Sequence, residues 1–364
     1  MTWFEELTGF EERSPEQVRE NITVVGERLT SKPNEKVMVC GRLETPTLGE
    51  LRRRTQGARR GNGAGGRASG KPGSGPASGG EGGSGDQGDN GGEGGKLSVR
   101  EVVGDARALH RDESNRGALF QVASQLNLLE MASPSVTPEQ GVGIYEQDLT
   151  QGPACAIAAG AGTIYRNYFA PVDGQAGQTK DNQIDCLADL GKRLGNLDGR
   201  LWEVRNGYCL PSRAGLSEIS ETLRASSDEE RDELRKLVRV GIQWDTQVTD
   251  GGCEHLVSQV YCSALPVAYC NHPADSWEGF ARLVLEAAYE ATVCAGILNR
   301  GGEEGSDRLF LTLLGGGAFG NEPEWILDSV RRALDLHGRG SGLDLALVSF
   351  KRSNPEVRKL TERL

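Results

Sequence analysis

The densest concentration of chemically useful residues lies at 313–323, Leu-Leu-Gly-Gly-Gly-Ala-Phe-Gly-Asn-Glu-Pro. An apolar run from Leu309 to Leu314 leads into it, and Trp325, Ile326, Val330, Ala333 and Leu334 follow at helical spacing. That order predicts a glycine turn between a buried strand and a helix N-terminus. Such a turn lets backbone N–H groups approach a phosphate, and the helix dipole favours its negative charge. Gly315, Gly316, Gly317, Ala318, Phe319 and Gly320 are therefore candidate anion-binding positions. Pro323 suits a first helical turn, where its missing N–H is not needed. Phe319 can stack on a sugar or base, or fill a gap in the core. A tight structural connection is the competing reading of the whole turn. No Gly-Lys-Ser/Thr follows the glycines, which excludes a nucleoside-triphosphatase loop. The late position, without a clear strand and acid beyond it, fits a dinucleotide fingerprint poorly.

A second cluster, Gly141-Val142-Gly143 followed by Glu146-Gln147-Asp148, sets two carboxylates beyond a glycine turn. Glu146 and Asp148 can position a water or polarise a leaving group. Asp148 or Thr150 can equally cap an Ala-rich helix beginning near Pro153. Asp105, after Val102, Val103 and Gly104, can accept from an amine on a base or cap a turn. Asn127 can donate and accept at once, which suits a ribose hydroxyl or a loop amide bonded to backbone. Trp244 to Gln247, following a strand, is a weaker candidate for lining a cleft.

These residues need elements to position them. From Leu97 onward strand and helix signals alternate, with strands expected at Val102–Val103, Ala118–Ala123, 238–244, 257–267, 309–314 and 343–350. The clearest helix runs from Trp277 to Leu298, with Phe280, Ala281, Val284, Ala288, Ala291, Ala295 and Leu298 on one face. This alternation predicts an α/β layered fold with a largely parallel sheet and ligands at the strands' carboxyl ends. Residues 56–96 carry no large apolar side chain and are expected to form a disordered insertion. Residues 1–55 hold too little apolar material for a core of their own, so they are expected to dock on a main domain at 97–364.

Composition narrows the function classes. The 364-residue chain carries a net charge of −11, which argues against a general electrostatic grip on nucleic acid or anionic membrane. Its eight cysteines form no C-x-x-C pair, and four scattered histidines offer no local ligand set, so no metal site is expected. The cysteines read as small buried hydrophobes in a reducing compartment. With no continuous apolar stretch in MTWFEELTGFEERS and none long enough to span a bilayer, a cytoplasmic protein without a membrane partner is expected. No cofactor is expected.

The order of these motifs resembles a macrodomain, the ADP-ribose-binding fold, and within it the microbial poly(ADP-ribose) glycohydrolase branch. LLGGGAFGNEP at 313–323 is similar to that family's second diphosphate loop. VVGD at 102–105 resembles its adenine-binding strand and Asp, and ALFQVASQLN at 118–127 the strand leading to a ribose-binding Asn. GVGIYEQD at 141–148 occupies the place of its Gly-Gly-Gly stretch and Gln-Glu-Glu signature, with Gly-Val-Gly and Glu-Gln-Asp as departures. The resemblance covers roughly 98–350 and leaves an elaboration at about 170–256. It implies a three-layer fold with a mostly parallel or mixed central sheet, and ADP-ribose or an ADP-ribosylated macromolecule as partner. It implies further that Asp105 holds adenine, the glycines at 141, 143 and 315–320 the diphosphate, and Asn127 a ribose. Glu146 or Asp148 would be the acid cleaving an ADP-ribosyl linkage, with Phe319 stacked on the sugar. A reader that binds ADP-ribose without turnover is the alternative.

Overall fold

The computed structural model describes residues 1–64 and 95–364. At the N-terminus, two short helices, α1 (Trp3–Thr8) and α2 (Pro15–Asn21), start where Thr2 and Ser14 hydroxyls accept from the amides of Glu5 and Gln17. Strands β1 (Ile22–Val25), β2 (Arg28–Ser31) and β3 (Val37–Val39) form a small antiparallel sheet. The chain then enters the main body as β4 (Arg42–Glu44), an edge strand of the central sheet, and continues into α3 (Leu48–Ala64). The N-terminal residues thus supply one strand of the large sheet and are more than a peripheral appendage. Of the segment expected to be disordered, 56–64 continue α3, and 65–94 lie outside the described residues.

After β5 (Ser98–Val103) come α4 (Ala106–Arg111), β6 (Leu119–Ala123), α5 (Gln151–Ala158) and α6 (Gly160–Tyr168). The Ala-rich helix expected from about Pro153 is in fact two, because Ala159 leaves helical geometry at φ −112°, ψ 59°. A hairpin of β7 (Pro171–Val172) and β8 (Gln175–Ala176) leads to α7 (Ala188–Leu194). A second hairpin, β9 (Trp202–Arg205) and β10 (Tyr208–Pro211), precedes α8 (Arg213–Ala225) and α9 (Asp228–Arg235). Strands β11 (Gly241–Gln247) and β12 (Leu256–Cys262) return to the central sheet, so the expected elaboration ends earlier than 256. Helix α10 (Ala274–Arg300), β13 (Arg308–Leu311), α11 (Pro323–His337), β14 (Asp344–Ser349) and α12 (Pro355–Thr361) complete the chain.

The central sheet has seven strands in the order β4-β11-β12-β6-β13-β14-β5. The five from β12 to β5 are parallel, whereas β11 is antiparallel to both neighbours. Helices cover both faces, so the inner strands are buried on both sides and read as apolar runs. On one face α10 packs against α3, α8 and α11; on the other, α5 packs against β6 and α4, and α6 against β11. This is the expected three-layer α/β arrangement with a mostly parallel, mixed sheet. Helix α10 is buried along most of its 27 residues because it lies between the sheet and three other helices. Its Glu290 is fully buried and meets Arg52 of α3 at 2.5 Å, Arg332 of α11 at 2.7 Å and His337 at 2.8 Å. Burial pushes that carboxyl upward, but hydrogen bonds from His337, Arg52 and Arg332 overcome it and hold it well below the usual range. No helix of the described residues is long and apolar enough to cross a membrane.

Candidate functional site

The glycine turn after β13 is held from behind and at its ends. Tyr289 of α10 donates its hydroxyl to the Thr312 carbonyl at 2.7 Å and accepts from the Leu314 amide at 2.9 Å. Gly315 takes φ +74°, and a Cβ there would lie 2.4 Å from that of Ala264, so both conformation and space demand glycine. Asn321 closes the turn, its amide donating to the Gly315 carbonyl and its side chain to the Leu265 carbonyl at 2.8 Å. The amides of Gly316 and Gly320 are spent inside the turn. Those of Gly315, Gly317, Ala318 and Phe319 have no acceptor among the described residues. Just beyond, α11 starts at Pro323 without a side-chain cap, so its first-turn donors add to the same positive end.

These groups border a cavity of about 520 Å³ at the carboxyl ends of the parallel strands, a volume suited to a nucleotide-sized ligand. Phe319 stands beside Tyr208 at 5.4 Å and Tyr269 at 5.6 Å between ring centres. Phe120 and Phe310, stacked in parallel at 4.6 Å, also line the cavity, backed by His110 at 3.8 Å from Phe120. Burial pushes His110 down to about 4, so that ring is neutral. Phe350 and the exposed Leu149 also border the cavity. Besides the hydroxyls of Tyr208, Tyr269 and Thr312, the polar lining residues include Gln121, Gln125, Glu130, Asp148, Gln151 and Glu356. No Lys, Arg or His is among the lining residues described. The donors they offer a phosphate are backbone amides and helix ends.

Of the residues singled out from sequence, the structure brings Gly315, Gly316, Gly317, Ala318, Phe319 and Asp148 to this cavity. Gly320 closes the turn at φ +69°, with its Cα side against Ala268. The others stand apart. Asp105 caps α4, accepting from the amides of Arg107 at 2.8 Å and Ala108 at 3.2 Å, while its neighbour Ala106 reaches the cavity. Asn127 is fully buried, donating to Gln183 at 2.8 Å and accepting from the Leu129 amide, so it braces a loop. The turn at Gly141 and Gly143 does gather amides around an anion, but the anion is the protein's own. The amides of Val142 and Gly143 donate to the Glu12 carboxylate at 3.0 and 2.6 Å, and Tyr168 adds its hydroxyl at 2.6 Å. Burial pushes Glu12 upward against those three bonds. Glu146 accepts from the Trp3 amide at 3.0 Å and is not among the lining residues. Trp244 to Gln247 end an antiparallel strand, which places them away from the parallel strands' carboxyl ends.

The sequence reading missed Glu130. It is one of the cavity's lining residues, with 6% of its surface exposed, and its buried Oε1 has no hydrogen-bond partner among the described residues. Burial pushes this carboxyl well above the usual range, with Arg166 opposing the shift and Asp148 adding to it. In LNLLEMAS it is one acid in an apolar stretch, and no local spacing marks it. Tyr208 and Tyr269 were missed as well, since only the fold carries them to Phe319. Cys155 also reaches the cavity, but burial raises its thiol and keeps it protonated. No three His, Cys, Asp or Glu side chains among the described residues converge as metal ligands.

No family model matches the chain, and no curated protein does. Among solved structures, the chain is similar in arrangement to poly(ADP-ribose) glycohydrolase from Thermomonospora curvata, at 12% identity and TM-score 0.44, over 96% of this chain and 97% of that one. The same enzyme bound to the inhibitor ADP-HPD gives 12% and 0.42 over the same shares. Poly(ADP-ribose) glycohydrolase from Deinococcus radiodurans in complex with ADP-ribose gives 10% and 0.40, over 87% and 91%.

Proposed function

We propose that the cavity binds ADP-ribose and that the protein hydrolyses an ADP-ribosyl linkage. The observation that carries this reading is the row of amides at Gly315, Gly317, Ala318 and Phe319, which have no acceptor among the described residues and border a nucleotide-sized cavity. A diphosphate is the anion that fits them, because it offers several acceptors close together and needs no cation side chain. Aromatic side chains also line the cavity: Phe319 grouped with Tyr208 and Tyr269, and, separately, Phe310 and Phe350. A sugar against one and a base against the other is the arrangement of a dinucleotide-like ligand with a central diphosphate. Asp148 borders the same cavity and takes part in the hydrolysis. Asp105 caps α4 beside the lining residue Ala106, and a base edge would have to reach it from the cavity through the carboxylate oxygen not used in the cap.

Calorimetry with ADP-ribose, AMP and adenosine tests the binding half. ADP-ribose is expected to bind at least about tenfold more tightly than AMP, a difference of ~1.4 kcal/mol. Raising salt from roughly 50 to 500 mM is expected to change its Kd by less than about threefold, since no described Lys or Arg lines the cavity. Equal affinity for adenosine and ADP-ribose would remove the diphosphate from the account. Release of ADP-ribose from poly(ADP-ribose) tests the catalytic half, and tight binding without turnover on any conjugate would leave a reader module.

A further inference from the structure

We propose that Glu130 is the proton donor of this site, delivering its proton to the leaving atom of a glycosidic bond while Asp148 takes one from the attacking water. The inference rests on the ADP-ribosyl hydrolase reading above and names the group that does its chemistry. The first ground is position: Glu130 reaches the cavity from the loop after β6, the same strand end that faces the glycine turn. The second is that Oε1 is buried with no partner among the described residues, an arrangement that a structural carboxyl avoids and a substrate oxygen would complete. Third, the carboxyl sits against the first turn of α5: a Cβ on Gly152 would fall 2.6 Å from Oε2, as well as 2.1 Å from the Ala123 carbonyl oxygen, so the carboxyl packs against bare backbone there.

The loop carrying Glu130 is braced at nearly every residue, which fixes where that oxygen can go. Gln125 accepts from the Met131 amide at 2.5 Å, and the Tyr145 hydroxyl accepts from the Glu130 amide at 3.1 Å. Tyr208 donates to the Met131 carbonyl at 2.6 Å, and Arg166 donates to the Leu128 carbonyl at 3.1 Å. Asn127, expected from sequence to meet a sugar, acts here by holding the Leu129 amide. Such preorganisation is what a positioned acid requires.

The step balances without any further reagent. The bond between C1″ of the distal ribose and its leaving atom breaks with the electron pair on that atom, which receives the Glu130 proton. The water oxygen bonds to C1″, its proton passes to Asp148, and solvent then takes that proton from Asp148 and reprotonates Glu130. One water is consumed and two hydroxyl-bearing products, or an alcohol and an amine, are formed. The groups facing Glu130 are Arg166, Asp148, Tyr145, Tyr208, Tyr261 and Cys155. Desolvation outweighs Arg166 and keeps the carboxyl protonated into a range where it can donate.

The test measures ADP-ribose affinity and release of ADP-ribose from poly(ADP-ribose) and an ADP-ribosylated serine peptide, for the full chain, Glu130→Gln and Asp148→Asn. Glu130→Gln is expected to bind free ADP-ribose within about threefold of the parent and to lose turnover by about 10²–10⁴-fold, the range for a general acid. The parent rate is expected to fall as pH rises and deprotonates the donor, with Asp148→Asn slowed while keeping that fall. Turnover by Glu130→Gln near the parent rate, with binding retained, overturns the assignment. A parent that fails to bind ADP-ribose overturns the underlying reading instead, and one that binds without turnover overturns the catalytic part of both.

Discussion

Glu130 is a residue whose presence makes the fold less stable than it need be. Its folded carboxyl lies well above the ordinary glutamate value of 4.5 because burial disfavours the charged form. The sign follows from linkage: a raised value contributes stability that is present below about 4.5 and lost as pH rises through the folded value. Glu130→Gln removes that loss. Thermal melts are therefore expected to give a higher Tm for the variant than for the parent at pH 8, with the gap closing toward pH 5. A variant less stable than the parent at pH 8 would mean the carboxylate is a satisfied structural group. None of this was legible in the sequence, because burial and the missing partner depend on α5 and on Tyr145 and Arg166, all distant along the chain. Asp148 was legible as an acid after a glycine turn, but the same logic equally favoured Glu146, which the fold turns toward Trp3.

At the scale of elements, the glycine turn after β13 was readable because three local signals coincide: an apolar run, a glycine cluster and a proline opening an amphipathic helix. Each is set by near neighbours, so no tertiary knowledge was needed. The turn at Gly141 and Gly143 carried a similar signal, yet Glu12, 130 positions away, fills it. An anion nest is recognisable from sequence; which anion enters it is not. The turns also separate by what each glycine does. A side chain at Gly315 strikes Ala264, whereas one at Gly317, which borders the cavity, meets nothing within 4 Å. Gly317→Val is thus expected to keep the parent Tm within about 2 °C and to weaken ADP-ribose at least about tenfold by calorimetry, ~1.4 kcal/mol. Gly315→Ala, forced to φ +74°, is expected to lose stability instead. Equal binding by Gly317→Val and the parent would move the phosphate elsewhere.

Across the whole molecule, the layered α/β plan was legible because parallel strands buried on both faces leave continuous apolar runs, and the helix at 277–298 has a clear face. The part played by the N-terminal residues was not. Their apolar content is low, but they add β4 to the sheet, send Arg52 to buried Glu290 and deliver Glu12 to the Gly-Val-Gly turn. The stretch between α6 and β11 likewise carries Tyr208, which supports both Phe319 and the Glu130 loop. In this acidic chain the described lining of the cavity holds no Lys or Arg, and the anionic ligand proposed above would be met where strand ends and helix starts converge on one place. Nuclear magnetic resonance of the ¹⁵N-labelled full chain during ADP-ribose titration tests that convergence most directly. The account predicts saturable shifts that are largest at the amides of Gly315, Gly317, Ala318 and Phe319. Saturable binding that leaves those four signals unmoved, or no saturable shift at all, would contradict it.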